Sequence, residues 1–354
     1  MAEVIEELGV REDDAGARLD VFLHRRRPDL SRSLIQRLIG EGRALVNGLP
    51  AKASHRLRIG ERVIARMPSR EELVPTKVEP VAFALDVLYE DDSIIVVNKP
   101  AGLPVHPARP RDVVTLVAGL LHHCGERLSD LGDPLRRGVV HRLDRDTSGV
   151  MVAAKTNEAH EHLAEQFRER RVRKKYLAVV RGGVRDDSGE ITLPIGRDSR
   201  VHDRKVVRHI GGRRAISHYL VKERFRGFTL VELRPRTGRT HQLRVHMSAI
   251  GHPVVADRMY GGGKALFLSE LQRGEAKSGE KPCVAASPVV PMLSGYHRGA
   301  SSVVSDDNNP LIARQALHAL EITFTHPATG AELTFTAALP ADMESLLASL
   351  RSAS

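Results

Sequence analysis

Apolar residues near the start of the chain recur at helical spacing and then in short runs. Leu19, Phe22 and Leu23 share one face of a predicted helix, and the apolar residues within 34–39 share a face of a second. Two short strands and a tight turn follow: Ala44–Val46, Arg62–Ala65 and Asn47-Gly48. The pattern predicts a small α/β module over residues 18–66.

A larger domain is predicted beyond this module. Residues 67–82 combine prolines with charged side chains, which is typical of a linker. We assign residues 83–354 to the second domain. Within it, residues 274–309 are rich in Ser, Gly, Ala, Pro and Asn and have no sustained period. We expect a flexible surface insertion there.

Strands dominate the pattern of this second domain. The predicted strands are Ile94–Val97, Val150–Ala154, Tyr176–Val180, Ala215–Glu223, Phe228–Leu233, Ala316–Phe324 and Glu332–Thr336. Helices are predicted after the capping residues Asn157 and Thr240, and after Pro340. Many strands with few helices between them predict an α+β fold with a mixed, largely antiparallel sheet.

The composition is that of an ordinary globular protein. The 354 residues are 41% hydrophobic and 28% charged, which excludes wholesale disorder. The apolar runs fall far short of the roughly 18 residues that a membrane helix needs. The N-terminus has no basic leader, and two cysteines are too few for a disulfide framework or a cysteine-rich zinc site. We therefore expect a cytoplasmic protein without a membrane partner.

The net charge of +10 is unevenly distributed. Residues 1–17 form an acidic N-terminal segment with six acids and one arginine, whereas residues 18–66 carry twelve Lys or Arg and four acids. A compact basic module suits a polyphosphate partner, because contacts to phosphates release counterions. A solvated basic face explains the charge equally well.

The densest polar cluster, residues 141–149, lies between two predicted strands. Strand-end loops are where rigid sheets present catalytic groups. Asp144 stands between Arg142 and Arg145, so we expect an ionised carboxylate. A salt-bridged turn is the structural alternative. A metal-dependent phosphodiesterase using Asp144 and Asp146 is another, although the neighbouring arginines compete for both carboxylates.

This cluster and its context resemble the RluA-type pseudouridine synthases. Gly138–Gly149 contains the H-R-L-D-x-x-T-S-G signature of that family. Four more of the family's motifs stand in order along the chain: Leu88–Pro107, Lys174–Gly182, Arg236–His246 and Arg314–Pro327. The resemblance covers residues 83–260 and 310–345. The insertion before Pro310 departs from the family's shorter connection.

The basic module resembles the S4-like RNA-binding domain. The resemblance is carried by Arg18-Leu19-Asp20, Ser31-Arg32, Gly42, Val46-Asn47-Gly48 and Gly60-Glu61, where the family more often has Asp in place of Glu61. It implies that basic residues on the second helix and the adjoining loop face RNA. These are Arg32, Arg37, Arg43 and Lys52.

The resemblance also implies a reaction and the residues that perform it. The uridine N1–ribose bond breaks, the base rotates, and C5 joins the sugar, so neither a cofactor nor a metal is needed. The target base must be flipped out of its helix. Asp144 matches the essential Asp, Arg244 the Arg that pairs with it, Tyr176 the Tyr that stacks on the flipped base, and Arg142 the Arg that helps to displace that base.

Helical geometry separately places Arg244 about 100° round its helix from the core-facing Leu243, so we expect it to reach a neighbouring loop rather than be buried. The combination of domains resembles the family members that act on 23S-type large-subunit ribosomal RNA, and we expect a monomer. A synthase directed at transfer RNA and a non-catalytic protein that binds ribosomal RNA remain alternatives.

Overall fold

The computed structural model describes residues 3–28, 30, 32–68, 77–107, 112–201, 203–272 and 310–353. The chain divides into two compact units, Met1–Val78 with Pro107–Val113 and Glu79–His106 with Val114–Ser354. The predicted insertion at 274–309 and residues 69–76 of the predicted linker at 67–82 lie outside the described residues. No helix within the described ranges is long and apolar enough to cross a membrane.

The first unit is a four-stranded antiparallel sheet with two helices. Its elements are β1 (Glu3–Gly9), α1 (Leu19–Arg26), α2 (Arg32–Gly40), β2 (Ala44–Val46), β3 (Leu49–Pro50) and β4 (Arg62–Pro68), with strand order β1-β4-β2-β3. Leu19, Phe22 and Leu23 are fully buried, as their spacing predicts. Asn47 and Gly48 both have positive φ, which confirms the predicted turn.

Strand β1 lies in the acidic segment, where the sequence pattern predicts no element. It pairs with β4 along its whole length, from Glu3 opposite Pro68 to Gly9 opposite Arg62. Its three glutamates give it low strand propensity. Pairing with β4 and the partly buried ion pair of Glu6 with Arg27 supply the stability that its sequence lacks.

The second unit is built on a nine-stranded mixed sheet, which confirms the predicted α+β fold. The strands of this unit are β5 (Val87–Glu90), β6 (Ile94–Lys99), β7 (Ser148–Ala154), β8 (Arg173–Arg181), β9 (Ser188–Thr192), β10 (Ile195–Arg197), β11 (Lys205–Val207), β12 (Ile216–Phe225), β13 (Phe228–Pro235), β14 (Leu317–Thr325) and β15 (Glu332–Thr336). Their order in the sheet is β5-β6-β7-β14-β8-β13-β12-β9, with β15 paired to β14 and with β10 and β11 forming a separate ribbon. The pairing of β7 with β14 is parallel, and the other pairings are antiparallel.

Among the described residues, five α-helices accompany this sheet: α3 (Leu116–Cys124), α4 (Asn157–Arg168), α5 (Gln242–Ala249), α6 (Leu268–Gln272) and α7 (Ala341–Ser352). Apolar residues of α7, such as Met343 and Leu346, pack with β8 and β13 in the largest core cluster. The sequence pattern predicts α4, α5 and α7, but it does not predict α3, α6 or the short strands β9 to β11.

Two predicted helix caps are wrong by one residue. Thr156, rather than Asn157, caps α4 by accepting a hydrogen bond from the Ala159 N–H, while the Asn157 amide bonds Ser129 and Asp130. Thr240 does not cap α5. The chain enters that helix through His241, whose φ of 58° is left-handed, and no side chain caps the first turn.

The parallel pair of β7 and β14 brings three segments to one place. Ser148 and Gly149 lie opposite His318 and Ala319, and Ala319 also lies opposite Tyr176 of β8. Gly149 has a φ of 120°, and a Cβ there would stand 2.2 Å from the Ala319 carbonyl oxygen. Only glycine fits this crossing. The loop before β7 therefore enters the sheet close to the middle of β8.

Candidate active site

Asp144 lies in the loop His141–Thr147, which leads into β7 and is called the Asp144 loop below. Arg244, on the first turn of α5, donates from Nη1 to Asp144 Oδ2 at 2.9 Å. The same guanidinium donates from Nε and Nη2 to both oxygens of Asp257, at 2.7 and 2.8 Å. A guanidinium with these two anions stays charged and in one orientation.

Burial makes this arrangement electrostatically strong. Asp257 is completely buried, and Arg244 is only 7% exposed. The prediction that Arg244 reaches a neighbouring loop is right, but the prediction that it avoids burial is wrong, because Asp257 supplies the second charge that a buried guanidinium requires. Asp144 itself is partly exposed. Arg244 therefore neutralises the carboxylate from the protein interior, while the rest of the carboxylate stays accessible.

Two cations hold the backbone of the Asp144 loop. The fully buried Lys99 donates to the Arg145 carbonyl at 3.0 Å and to the carbonyls of Pro100 and Leu103. Burial lowers the pKa of Lys99 to about 7. Arg314 donates to the Asp146 carbonyl at 3.1 Å and binds both oxygens of Asp342 on α7. The two peptides that follow Asp144 are therefore fixed from two sides.

His241 and Tyr260 complete the surroundings of Asp144. His241 Nε2 lies 3.8 Å from Asp144 Oδ1, and His241 Nδ1 lies 2.8 Å from the Tyr260 hydroxyl. Burial lowers the pKa of His241, so the imidazole is neutral near pH 7. The Tyr260 ring also lies 5.0 Å from the Arg244 guanidinium. The Tyr260 ring therefore contributes to the burial of the Arg244 guanidinium.

The Asp144 carboxylate opens onto a cleft of about 560 Å³. Tyr176 of β8 lines it and is partly buried, and Arg142 lines it with an exposed side chain. Burial, with a smaller contribution from the Asp144 charge, raises the pKa of Tyr176, which keeps the phenol protonated. The structure thus places Asp144, Tyr176, Arg142 and Arg244 around one cavity.

Cations dominate the lining of the cleft. The basic side chains are Arg142, Arg168, Arg170, Lys174, Arg236, Arg239 and Arg244, and Asp144 is the one carboxylate among the described residues that line it. A concave site of this charge, with the aromatic rings of Phe167 and Tyr176 at its wall, suits a polyanion that inserts a planar group. Within the described ranges, no group of three or more His, Cys, Asp or Glu side chains could hold a metal ion.

In the first unit, the four predicted RNA-binding residues differ in their surroundings. Arg32 donates to the buried Asp20 at 2.9 Å, beside Arg18 and Gln36. Burial alone would raise the pKa of Asp20, but these hydrogen bonds hold it well below its usual range. Arg32 therefore also has a structural partner.

The remaining three residues are more loosely held. Arg37 and Arg43 approach Glu41 at only 3.6 and 3.7 Å, and Lys52 is exposed. The acids of residues 3–14 pair instead with other arginines, such as Asp14 with Arg26. Arg37 and Lys52 are therefore exposed cations on the surface of this unit.

Sequence reasoning missed several site residues. Asp257, Tyr260 and Lys99 have no role predicted from the sequence, and His241 and Lys174 are predicted only as members of motifs. Lys99 and Lys174 lie inside motif segments, which could have drawn attention to them. Asp257 lies outside every motif, and only its position opposite Arg244 identifies it.

Comparison with known proteins agrees with both units. The sequence profile described as RNA pseudouridylate synthase matches residues 93–249, and that of the S4 domain matches residues 17–63. An uncharacterized RNA pseudouridine synthase of Bacillus subtilis, YlyB, is 38% identical over 96% of each chain. The ribosomal large subunit pseudouridine synthase D of Neisseria meningitidis serogroup B is 40% identical over 95% of this chain and 79% of that protein. The solved structure of human RNA Pseudouridylate Synthase Domain Containing 1 matches with a TM-score of 0.48 and 25% identity, over 78% of this chain and 98% of that one.

Proposed function

This chain belongs to the RNA pseudouridine synthase family, and we propose that it converts uridines of 23S-type large-subunit ribosomal RNA to pseudouridine with Asp144 as the catalytic residue. The observation that carries the proposal is a single carboxylate, bound by Arg244 at 2.9 Å, in a cleft whose other charged lining residues are all Lys or Arg. The relatives named for the large ribosomal subunit support the choice of RNA.

The chemistry needs one carboxylate at the sugar of an extruded nucleotide. Asp144 acts there either as the nucleophile toward C1′ or as the base at C2′ while the N1–C1′ bond breaks. The base then rotates and C5 bonds to C1′. In the first route the ester between Asp144 and C1′ breaks in this step, and in the second route Asp144 returns the proton to C2′. The C5 proton is lost and N1 gains a proton. Glycosidases need a second carboxylate to activate water, whereas here water must be kept out. One acid lining the cleft suits this requirement.

Arg244 holds the Asp144 carboxylate in one orientation. A guanidinium that is also bound to Asp257 cannot turn away when substrate enters, so the carboxylate needs little reorganisation before reaction. Tyr176 supplies the ring against which the flipped uracil stacks. The exposed Arg142 guanidinium contacts the RNA at the position that the uridine vacates.

The first unit docks the ribosomal RNA. Arg37, Arg43 and Lys52 supply phosphate contacts, and Arg32 joins them through the part of its side chain that Asp20 leaves exposed. The enzyme acts in the cytoplasm as a monomer. It needs neither a metal nor a cofactor, because the isomerisation transfers neither electrons nor groups between molecules.

The test compares wild type with Asp144→Asn on an unmodified transcript of large-subunit ribosomal RNA. Pseudouridine is mapped at single-nucleotide resolution, and affinity is measured alongside. Wild type should form pseudouridine in the presence of chelator, and Asp144→Asn should bind the transcript within about threefold of wild type but form none. Activity on transfer RNA alone would overturn the choice of substrate, and near-wild-type turnover by Asp144→Asn would overturn its catalytic role.

A further inference from the structure

Lys174 is a half-buried lysine that the proposed chemistry does not use. It lies on β8 two residues before Tyr176 and lines the same cleft. Its ammonium lies 5.6 Å from the centre of the Phe167 ring, and that ring stacks on His141 at 4.6 Å. No carboxylate or carbonyl among the described residues accepts a hydrogen bond from it.

This position is costly for an ammonium in the free protein. The three N–H donors of the Lys174 ammonium lose part of their hydration, and only the face of the Phe167 ring replaces that water. Burial accordingly lowers the pKa of Lys174 to about 8. The acid of the cleft, Asp144, is already neutralised by Arg244. Lys175, by contrast, points to the other face of β8 and pairs with Glu321 at 2.8 Å.

The chain therefore keeps an unneutralised cation where an anion would satisfy it. We propose that Lys174 is the binding site for a backbone phosphate of the RNA at the target nucleotide. This inference rests on the proposed function and adds a positioning contact to it. Residues two apart on a strand point to the same face, about 7 Å apart. A base stacked on Tyr176 thus brings the backbone of its own nucleotide toward the Lys174 ammonium.

The phosphate contact fixes the nucleotide in two ways. Stacking on Tyr176 alone leaves the base free to slide over the ring, because stacking is tolerant of position. A charge contact on the backbone removes that freedom and sets the distance from the sugar to Asp144. His141 cannot share this role, because burial and the Lys174 charge lower its pKa to about 3, so the imidazole is neutral.

Lys174→Met and Lys174→Arg, with Lys175→Met as the matched control, test the inference on the full chain and the ribosomal RNA transcript. Lys174→Met should weaken binding about tenfold, and the slope of log affinity against log salt should become shallower by about 0.7 to 0.9, the value of one phosphate contact. Lys174→Arg should bind within about twofold of wild type, and Lys175→Met should leave both quantities unchanged.

Thermal unfolding separates this role from a structural one. Removing an ammonium that lacks an anionic partner should stabilise the free protein, so Lys174→Met should raise Tm by about 2 °C while it weakens RNA binding. Wild-type affinity and salt slope in Lys174→Met, or a lowered Tm together with an unchanged slope, would overturn the inference. If wild type itself modifies no RNA, the proposed function fails instead.

Discussion

Arg244 binds two carboxylates at once: it donates to Asp144 at 2.9 Å and forms a two-bond fork with Asp257 at 2.7 and 2.8 Å. Asp144 faces the cleft, and Asp257 is completely buried. The buried carboxylate therefore sets the direction of the guanidinium, and the guanidinium sets the direction of the carboxylate that we assign to catalysis.

Asp257→Asn should lower kcat by about 100-fold and leave KM nearly unchanged. The amide of the substituted side chain cannot accept from both Nε and Nη2 of Arg244, so we expect the guanidinium to shift and Asp144 to lose its alignment. A displacement of a catalytic group by about 1 Å is enough to lower the reaction rate about 100-fold. Steady-state kinetics on the ribosomal RNA transcript measures both constants, and circular dichroism verifies the fold.

The control for this variant is Asp187→Asn. Asp187 also pairs with an arginine, Arg224 at 2.6 Å, but the Asp187 side chain is 84% exposed and far from the cleft lining. Its loss should leave kcat unchanged, because exposed ion pairs contribute little. A folded Asp257→Asn protein with wild-type kcat would show that Asp257 does not align Asp144.

Tyr176→Phe should retain most of the activity, whereas Tyr176→Ala should lower kcat/KM by about 100-fold. The proposed role needs the ring and not the hydroxyl, and stacking of a base on an aromatic side chain contributes about 1 to 3 kcal/mol. Tyr219→Ala on β12, outside the residues that line the cleft, serves as the control. Equal losses in the Phe and Ala variants would point to the hydroxyl instead.

RNA affinity should fall as pH rises from 7 to 9, and Lys174→Arg should abolish that fall. RNA binds the protonated ammonium, and raising pH through the Lys174 pKa of about 8 removes that form. Other charged or titratable side chains that line the cleft are His141, Arg142, Asp144, Arg168, Arg170, Tyr176, Arg236, Arg239, His241 and Arg244.

Among the described groups that line the cleft, only Lys174 has a pKa shifted into the interval between pH 7 and 9. Lys99, whose pKa burial lowers to about 7, binds the backbone of the Asp144 loop outside this lining and titrates in Lys174→Arg as it does in wild type. Burial lowers the pKa of both histidines and raises that of Tyr176, and arginine stays protonated. Fluorescence anisotropy with labelled transcript at constant ionic strength measures the effect. A fall of equal size in Lys174→Arg would assign the pH dependence to another group.

Gly149→Ala should destabilise the protein by about 3 kcal/mol. The new Cβ would combine a φ of 120° with a 2.2 Å approach to the Ala319 carbonyl oxygen. Gly330→Ala is the matched control, because Gly330 also has a positive φ of 73° but open space around its Cβ position. Its cost should be about 1 kcal/mol, and urea unfolding compares the two. Equal costs would show that β7 and β14 tolerate a wider spacing.

The double variant Arg37→Ala/Lys52→Ala should weaken binding to the transcript without lowering Tm. Arg32→Ala should lower both the affinity for the transcript and Tm. The first two side chains are exposed, while Arg32 helps to neutralise the buried Asp20. Filter binding and differential scanning calorimetry distinguish the two effects. Unchanged affinity in the double variant would place RNA on another surface of this unit.

The sequence determined the local structure and the chemical inventory of this protein. Apolar periodicity placed α1 and α2, and β-rich runs placed β7, β8, β13 and β14, because each depends on side chains a few residues apart. Asp144 could be identified as a candidate from the sequence, because the polar residues of the Asp144 loop stand between two apolar strands. The sequence did not predict β1, because its acidic sequence forms a strand only when it pairs with β4.

Only the tertiary structure decided which charges meet. Whether Arg244 would be exposed or buried depended on Asp257, which no motif contains, and Lys99 reaches the Arg145 carbonyl across 46 residues. The unpartnered state of Lys174 within the described residues emerged in the same way. Periodicity indicates the face of an element on which a residue lies. Ion pairing depends instead on which distant segments the strand order brings together. The Coulomb energy of two charges is large only when they lie within a few ångströms of each other.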